Sequence, residues 1–238
     1  MGKVNIIPIY IGYDHRERAA TNVLIDSLYQ KSSVPLSITP LVTDQLKKSG
    51  LYTRERDPKQ STDFSFTRFL VPYLQNYEGW AMFMDCDMLC REDINNLWNQ
   101  RSDEYALMCV KHEHTPKKKI KFLGEIQSKY PKKNWSSLML INCSKCKALT
   151  LDKVNRASGL DLHRFNWLNN EKLIGEIKDN WNFLVDEQEI ETSQINKSNP
   201  PLLHWTLGGP WFKAQRKIKN SFNEEWFDYR KEIISYWD

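Results

Sequence analysis

One stretch of the sequence decides the fold: Trp80-Ala81-Met82-Phe83-Met84-Asp85-Cys86-Asp87. Its apolar part predicts a buried β-strand, and that strand stops at two acids. Because alternate side chains of a strand point to opposite faces, Asp85 and Asp87 should share one side while Cys86 faces the other. Two neighbouring carboxylates favour a divalent cation such as Mn²⁺ or Mg²⁺, which removes their repulsion. The same triplet also occurs in ordinary polar turns.

The chain before this strand predicts a β-α-β unit. Residues 4–11 are rich in β-formers, residues 16–30 carry apolar side chains at helical spacing, and residues 37–42 alternate as a second strand. A β-α-β start is typical of a parallel sheet covered by helices. Such sheets bind ligands at the carboxyl ends of their strands, where Asp14 and the acid pair should both lie.

The rest of the chain predicts more elements of the same α/β fold, in one domain over residues 1–238. Residues 111–133 are basic and poor in apolar side chains, which is typical of a mobile loop over an active site. We expect helices starting at residue 65 and at residues 93–99, 144–151 and 224–237, and strands at residues 106–110, 135–142 and 202–206.

Composition limits the class of protein. With 238 residues, of which 40% are apolar, the chain can bury a sizeable core. A formal net charge of +4 does not suggest a dedicated nucleic-acid binder. No apolar run reaches membrane-spanning length, and the N-terminus does not read as a signal peptide. Five scattered cysteines predict reduced core thiols, so we expect a cytoplasmic protein.

Basic residues are clustered despite the small net charge. Such clusters form either a solvated surface or a surface that meets an anionic acceptor or membrane headgroups. The two clusters are Lys117, Lys118, Lys119, Lys121, Lys132 and Lys133, and Arg216, Lys217 and Lys219.

A second group of notable residues lies late in the chain, where His204 and Trp205 are followed by Gly208-Gly209-Pro210-Trp211. Glycines let backbone N–H groups approach a ligand closely. A lone histidine in an apolar strand is ordinarily a hydrogen-bonded core residue, but two carboxylates with one imidazole would suit Mn²⁺. The flat rings of Trp205 and Trp211 are candidates to cover a sugar face.

Taken in order, these features resemble the retaining GT-A glycosyltransferases of family 8, the group of glycogenin and the bacterial lipopolysaccharide galactosyltransferases. The match runs from the acid after strand one through Asp85-Cys86-Asp87, Ser136-Ser137 and Trp181-Asn182 to His204 and its glycine turn. It covers nearly the whole chain. The resemblance implies a Rossmann-like, mostly parallel mixed sheet flanked by helices, which binds a nucleotide.

The resemblance also implies roles for single residues. In the family, the acid pair and a late histidine hold Mn²⁺ against the diphosphate of the nucleotide sugar, which here implies Asp85, Asp87 and His204. The other positions implied to contact the nucleotide or the donor sugar are Tyr10, Ile11, Gly12, Asp14, Arg68, Ser136, Ser137, Gly208, Gly209, Trp211 and Lys213.

This sequence departs from the family pattern at two places. The family usually carries a lysine just before Pro-Trp, where this chain has Gly209, so diphosphate contacts would have to come from backbone N–H groups, Lys213 or Arg68. The family's Asp-Gln pair near the anomeric carbon has no clean counterpart. Asp161 and His163 lie about where that pair should fall and are the candidate catalytic residues.

The expected function is a metal-dependent, retaining transfer of a hexose from a nucleotide sugar, UDP-linked, to a carbohydrate or glycan acceptor. One alternative is a phosphotransferase or phosphatase with Asp85 as nucleophile and Asp87 as acid. That chemistry would want Ser or Thr close behind the acids, where Met88 and Leu89 stand. A second alternative is a glycan-binding protein without catalysis on the same scaffold.

Overall fold

The strand that ends at the acid pair lies inside a mixed central sheet. The computed structural model describes residues 6–57, 60–112, 132–185, 199–218 and 220–234. In spatial order the sheet contains β2 (Leu36–Val42), β1 (Ile7–Tyr13), β3 (Trp80–Met84), β6 (Leu138–Asn142), β5 (Leu107–Cys109) and β7 (Ile174–Glu176). Only β6 runs against the other strands of this sheet. The predicted α/β fold with a mostly parallel sheet is confirmed.

A small second sheet brings the late histidine to the acid pair. It has the order β4 (Met88–Cys90), β9 (Leu202–His204), β8 (Phe183–Leu184). In the antiparallel ladder of β4 and β9, Met88 lies opposite His204. The backbone N–H of Trp205 donates to the carbonyl of Asp87 over 3.0 Å. The ladder therefore holds residues distant in sequence side by side.

Helices cover the sheets, and those that the sequence predicts have shifted ends. The first helix, α1 (Arg18–Lys31), packs its buried face on β4 and on the last helix, α7 (Ser221–Ile233). Its Leu24 and Leu28 join the main core and its Val23 joins the smaller core around Trp205 and Trp226, so α1 ties the two together. The helices are α1 (Arg18–Lys31), α2 (Thr43–Lys48), α3 (Val71–Leu74), α4 (Ile94–Trp98), α5 (Leu151–Arg156), α6 (Gly159–His163) and α7 (Ser221–Ile233), with 3₁₀ turns at His15–Glu17, Thr67–Leu70, Cys143–Lys145 and Glu171–Leu173.

The helix expected at residues 144–151 is wrong. The chain makes the 3₁₀ turn Cys143–Lys145 there, and α5 begins at Leu151. The reason is the cap, because the Thr150 side chain accepts from Lys153 N and starts the helix after it. Asn220 likewise starts α7 at Ser221, earlier than expected. The short strands β4, β7 and β8 were not predicted, since two or three residues carry too little periodicity.

Several smaller expectations have clear outcomes. All five cysteines are free and buried, which confirms core thiols. No helix among the described residues is long and apolar enough to cross a membrane.

Lys132, at the end of the basic segment, is anchored, since its Nζ lies 2.7 Å from both the carbonyl of Arg164 and Glu171 Oε1. The predicted mobile loop lies largely outside the described residues, as do Lys117, Lys118, Lys119, Lys121 and Lys219.

Candidate active site

Asp85, Asp87 and His204 form one cluster at the junction of the two sheets. The two acids lie in the turn between β3 and β4, and His204 ends β9. One ligand atom from each lies within 4.8 Å of the others. Arg68 Nη1 is 2.9 Å from Asp85 Oδ1, and His204 Nε2 is 3.2 Å from Asp87 Oδ1. The structure thus brings together the three residues that the sequence suggests for a metal.

The electrostatics of this cluster indicate a shortage of positive charge. Burial, together with repulsion from Asp87, raises the pKa of Asp85 to about 7 although Arg68 opposes the shift. Burial favours neutral His204, but the attraction of Asp87 and Asp85 outweighs it and raises the pKa of that imidazole. A carboxyl whose pKa lies near neutral pH does not have enough positive charge beside it to keep it fully ionised.

Two buried oxygens test whether a cation fits here. Asp85 Oδ1 and Asp87 Oδ1 accept no hydrogen bond from any described residue. The nitrogens 2.9 and 3.2 Å away therefore do not meet them with hydrogen-bond geometry. Buried polar atoms without partners are costly, and oxygens of this kind are the ligands of hard divalent ions. The residues present fit a divalent cation.

Arg68 connects the cluster to the neighbouring serine strand. It is buried in the Thr67–Leu70 turn, and its Nη1 donates to the carbonyl of Ser136 over 2.7 Å. Its guanidinium packs 4.9 Å from the centre of the Phe83 ring. The sequence-predicted donor residues Arg68 and Ser136 thus lie together beside Asp85.

The two candidate catalytic residues of α6 have different surroundings. His163 is in contact with Ser136, since its Nδ1 lies 2.9 Å from the serine Oγ. Burial, helped by Arg68, lowers the pKa of His163 to about 3, so the ring is neutral near pH 7. Asp161 instead points to Lys153, whose Nζ is 3.7 Å away. The structure brings His163 to the serine strand and leaves Asp161 at a surface ion pair.

The residues predicted at the end of β1 are covered. Tyr10 and Ile11 are core residues, and the Tyr10 hydroxyl accepts from Gln75 over 2.9 Å. Gly12 lies under Phe64, because a Cβ there would be 2.2 Å from the ring. The side chains of Tyr10 and Ile11 are buried and Gly12 has none, so any contact with a nucleotide would be made through the loop that follows.

Asp14 is fully buried and already engaged. Its oxygens accept from Arg16 Nε at 2.9 Å, Arg16 Nη2 at 2.6 Å and the backbone N–H of Asp63 at 3.1 Å. Burial alone would raise the pKa of Asp14, but the hydrogen bonds from Arg16 and Asp63 lower it. The groups exposed beside it are Arg16 and His15. Of these two, His15 lines a cavity of about 280 Å³ at the carboxyl ends of β1 and β2.

The glycine turn after β9 is shaped by tryptophans. Gly208 has a φ of +88°, which favours glycine, and a Cβ on Gly209 would lie 2.2 Å from the Trp211 ring. Trp211 is half-buried and packs 6.0 Å from Trp205, whereas Lys213 is exposed. Trp205 itself is 1% exposed and belongs to the core, so the expectation that it covers a sugar is wrong.

Two further residues near the acid pair escaped sequence reasoning. Asn182 Oδ1 lies 2.7 Å from His204 Nδ1, although the sequence marks Asn182 only as part of a Trp-Asn pair. Glu17 Oε2 lies 3.6 Å from the Cys86 thiol. Burial and repulsion from Asp87 raise the pKa of Glu17 to about 8, so this carboxyl is largely protonated at neutral pH. Both contacts join residues that are far apart in the sequence, so no short sequence motif predicts them.

No family model matches the chain. It is 45% identical to Protein CDI of Arabidopsis thaliana over 226 residues, which cover 94% of this chain and 86% of that protein.

Among solved structures, the galactosyltransferase LgtC in complex with donor and acceptor sugar analogs has a TM-score of 0.59 at 11% identity, covering 97% of each chain. GlyE of Streptococcus pneumoniae has a TM-score of 0.59 at 15% identity, covering 95% of this chain and 60% of its own. The bifunctional glycosyltransferase WbbM has a TM-score of 0.59 at 12% identity, and this chain spans about half of it, 52%. At these identities the likeness establishes a GT-A glycosyltransferase fold.

Proposed function

The chain belongs to the family of the Arabidopsis Protein CDI, and we propose that it is a metal-dependent, retaining glycosyltransferase of the family 8 type. Its reaction would move a hexose from a UDP-linked sugar to a carbohydrate or glycan acceptor. The observation that carries the proposal is the pair of buried oxygens of Asp85 and Asp87 that accept no hydrogen bond from the described residues and lie within 4.8 Å of His204. Their position at the carboxyl ends of sheet strands, in a GT-A fold, supports a nucleotide-sugar site.

Asp85, Asp87 and His204 would hold the ion. Two carboxylates with one imidazole suit Mn²⁺ or Mg²⁺ better than a thiolate-preferring metal. When bound, such an ion stabilises the charge that develops on the leaving diphosphate. Arg68, 2.9 Å from Asp85, keeps that carboxylate oriented and adds a fixed positive charge to the same region.

The donor would lie over the ends of β1 and β3. Asp14 would act there through Arg16, because the guanidinium covers both of its oxygens. The cavity of about 280 Å³ has room for part of a nucleoside and is bordered by Tyr13 and His15. The backbone N–H of Gly209, together with Trp211 and the exposed Lys213, would approach the diphosphate from the opposite side, whereas the N–H of Gly208 already donates to the carbonyl of Trp205 over 3.2 Å.

The candidate catalytic residues favour retention over inversion. An inverting transferase needs a carboxylate or imidazole placed to deprotonate the acceptor. Asp161 is paired with Lys153, and His163 is buried against Ser136. With the two aspartates of the acid pair assigned to the metal, the leaving diphosphate would take the acceptor proton. His163 would then orient Ser136 toward the donor sugar.

The experiment is UDP release from a panel of UDP-sugars, measured with Mn²⁺ and after chelation. The matched pair of variants is Asp87→Asn in the acid pair and Asp152→Asn at an exposed ion pair on α5. We expect release to require the metal, to be lost in Asp87→Asn and to persist in Asp152→Asn. Donor binding without turnover would favour a glycan-binding protein, and metal-independent release would reject the proposal.

A further inference from the structure

A buried chain of hydrogen bonds ends on His204. Ser137 Oγ donates to the carbonyl of Asn134 over 2.6 Å, and Asn182 Nδ2 donates to Ser137 Oγ over 2.9 Å. Asn182 Oδ1 then lies 2.7 Å from His204 Nδ1. Ser137, Asn182 and His204 are 3%, 1% and 2% exposed. With so little solvent contact, these groups must satisfy one another.

The direction of every bond in this chain follows from its first member. A backbone carbonyl only accepts, so the Ser137 hydroxyl must donate its single proton to Asn134. The serine oxygen is then an acceptor, and the Asn182 side chain must turn its NH₂ group toward it. The Asn182 carbonyl therefore faces the imidazole, and His204 Nδ1 must carry a proton.

This direction determines what the other ring nitrogen can do. In neutral imidazole, a proton on Nδ1 leaves a lone pair on Nε2. That lone pair points into the acid cluster, where Nε2 lies 3.2 Å from Asp87 Oδ1. Two acceptor atoms at this distance repel unless a proton or a cation lies between or beside them. On this side of the ring, Nε2 can therefore accept either a proton or a divalent cation.

We propose that Asn182 is a positioning residue that holds His204 in the tautomer able to ligate a divalent cation through Nε2. The inference rests on the proposed function, because it assumes that His204 is a ligand. Asn182 is suited to the place, since its φ of 127° is one that asparagine tolerates better than most residues. It directly precedes β8, whose Leu184 is in register with His204, so the ladder holds the two partners together.

The first test measures Mn²⁺ affinity directly, from the electron paramagnetic resonance signal of free Mn²⁺ in titrations of the whole chain. Replacing Asn182 by Ala should weaken binding by about 10- to 100-fold, the usual effect of losing a partner behind a metal ligand. Asn182→Asp keeps an acceptor oxygen toward Nδ1 and should retain most of the affinity. Ser137→Ala removes the group that sets the amide direction and should fall between them.

The matched control is Asn223→Ala. Asn223 is also a buried asparagine, and it accepts from the indole of Trp205, the residue after His204, over 2.8 Å. Its loss should lower thermal stability as Asn182→Ala does but leave Mn²⁺ affinity unchanged. A merely structural role for Asn182 would give the two variants the same profile.

The second test reads the tautomer without metal. In protein labelled with ¹⁵N-histidine, at a pH where the ring is neutral, the two ring-nitrogen shifts report which one carries the proton. We expect Nδ1–H for His204 in the wild type and in Asn182→Asp, and a mixture in Asn182→Ala. A wild-type ring protonated on Nε2 would overturn the inference.

The two hypotheses fail in different ways. If the wild-type chain binds no Mn²⁺ while His204 carries its proton on Nδ1, the proposed metal-dependent function is rejected and the tautomer assignment stands. If the wild type binds Mn²⁺ and Asn182→Ala binds it equally well, the positioning role is rejected and the metal site stands.

Discussion

Two groups of two aspartates and one histidine occur in the described part of the chain, and they differ in how the acids are neutralised. In the group of Asp14, His15 and Asp63, each acid has its own guanidinium. Arg16 pairs with Asp14 at 2.6 Å, and Arg56 pairs with Asp63. His15 Nδ1 adds a contact of 2.7 Å to Asp63. This first group, which we call the paired cluster, is complete without a ligand.

The group of Asp85, Asp87 and His204, which we call the unpaired cluster, has one arginine for its two acids. Arg68 reaches Asp85, and two carboxylate oxygens keep no hydrogen-bond partner. The residue types in the two groups are the same, so residue type does not identify a metal site. What distinguishes the two groups is the number of positively charged side chains beside the acids. A divalent ion can neutralise an excess of buried negative charge.

The largest effect should come from removing one charge of the unpaired cluster. Asp85→Asn would reduce metal-dependent turnover by about 10³-fold or more, or ~4 kcal/mol of transition-state stabilisation. The fold should be unharmed or slightly stabilised, because repulsion between Asp85 and Asp87 ends. Turnover and thermal melting of the same preparation measure both effects. Asp63→Asn, in the paired cluster, should retain turnover, and equal losses in both variants would remove the distinction between the clusters.

The paired cluster should show the opposite behaviour. Asp14→Asn keeps a side chain that caps the His15–Glu17 turn but loses the charged bonds from Arg16. We expect a loss of about 2 kcal/mol in the free energy of unfolding, as for a hydrogen bond to a charged group. Mn²⁺ affinity should not change. Denaturant unfolding checks the first result, with Asp93→Asn, a cap on α4 without an arginine partner, as the control. Weakened Mn²⁺ binding in Asp14→Asn would mean that the clusters are coupled.

The two histidines sharpen the same contrast. His204→Ala should lower Mn²⁺ affinity by about 100-fold or more, at least as much as the loss of a partner behind a metal ligand. His15→Ala should have no effect on it, since His15 is 72% exposed and lies in the paired cluster. Calorimetric Mn²⁺ titrations without nucleotide compare the two variants, because His15 borders the cavity proposed for the nucleoside. Wild-type affinity in His204→Ala, with a lowered melting temperature, would make His204 an ordinary core histidine.

The smallest effect is a dependence of stability on pH that the metal should remove. The raised pKa of His204 stabilises the fold at pH values below the unfolded value of about 6.5 and ceases to do so as pH rises through the folded pKa. Asp85 acts in the same direction over a lower range, because a carboxyl whose pKa folding raises from 3.8 to about 7 costs stability progressively as pH rises between those values. The melting temperature of the metal-free protein should therefore fall by a few degrees as pH rises from about 4 through neutrality.

Excess Mn²⁺ should flatten that curve, because the ion favours the ionised acids and the neutral imidazole. Melting curves across this pH range, with Mn²⁺ and with a chelator, make the comparison. The paired cluster gives the internal reference, since the lowered pKa of Asp14 makes its stabilisation disappear only as pH falls below about 4. A curve that is the same with and without metal would count against ligation by the unpaired cluster.

Short-range patterns were read correctly where one face of an element is buried. Asp85 and Asp87 do lie together with His204, although both stand in the turn after β3 and not in the strand itself. Helical spacing identified α1, and the apolar run identified β3. The predicted start of a helix was wrong where a single capping residue, such as Thr150, determines at which residue the helix begins. These errors are local and small.

The α/β class and the acid pair follow from sequence patterns alone, whereas the candidate triad with His204 follows only from the order of motifs shared with a known family. Which acids are neutralised depends on the folded chain. Arg16 neutralises Asp14 from two residues away. The ion pair of Arg68 with Asp85 and the contact of Asn182 with His204 instead join distant segments of the chain. Periodicity reports which face of an element is buried, but the charge balance of a site is set by the side chains that the fold brings to it, and no local pattern contains that information.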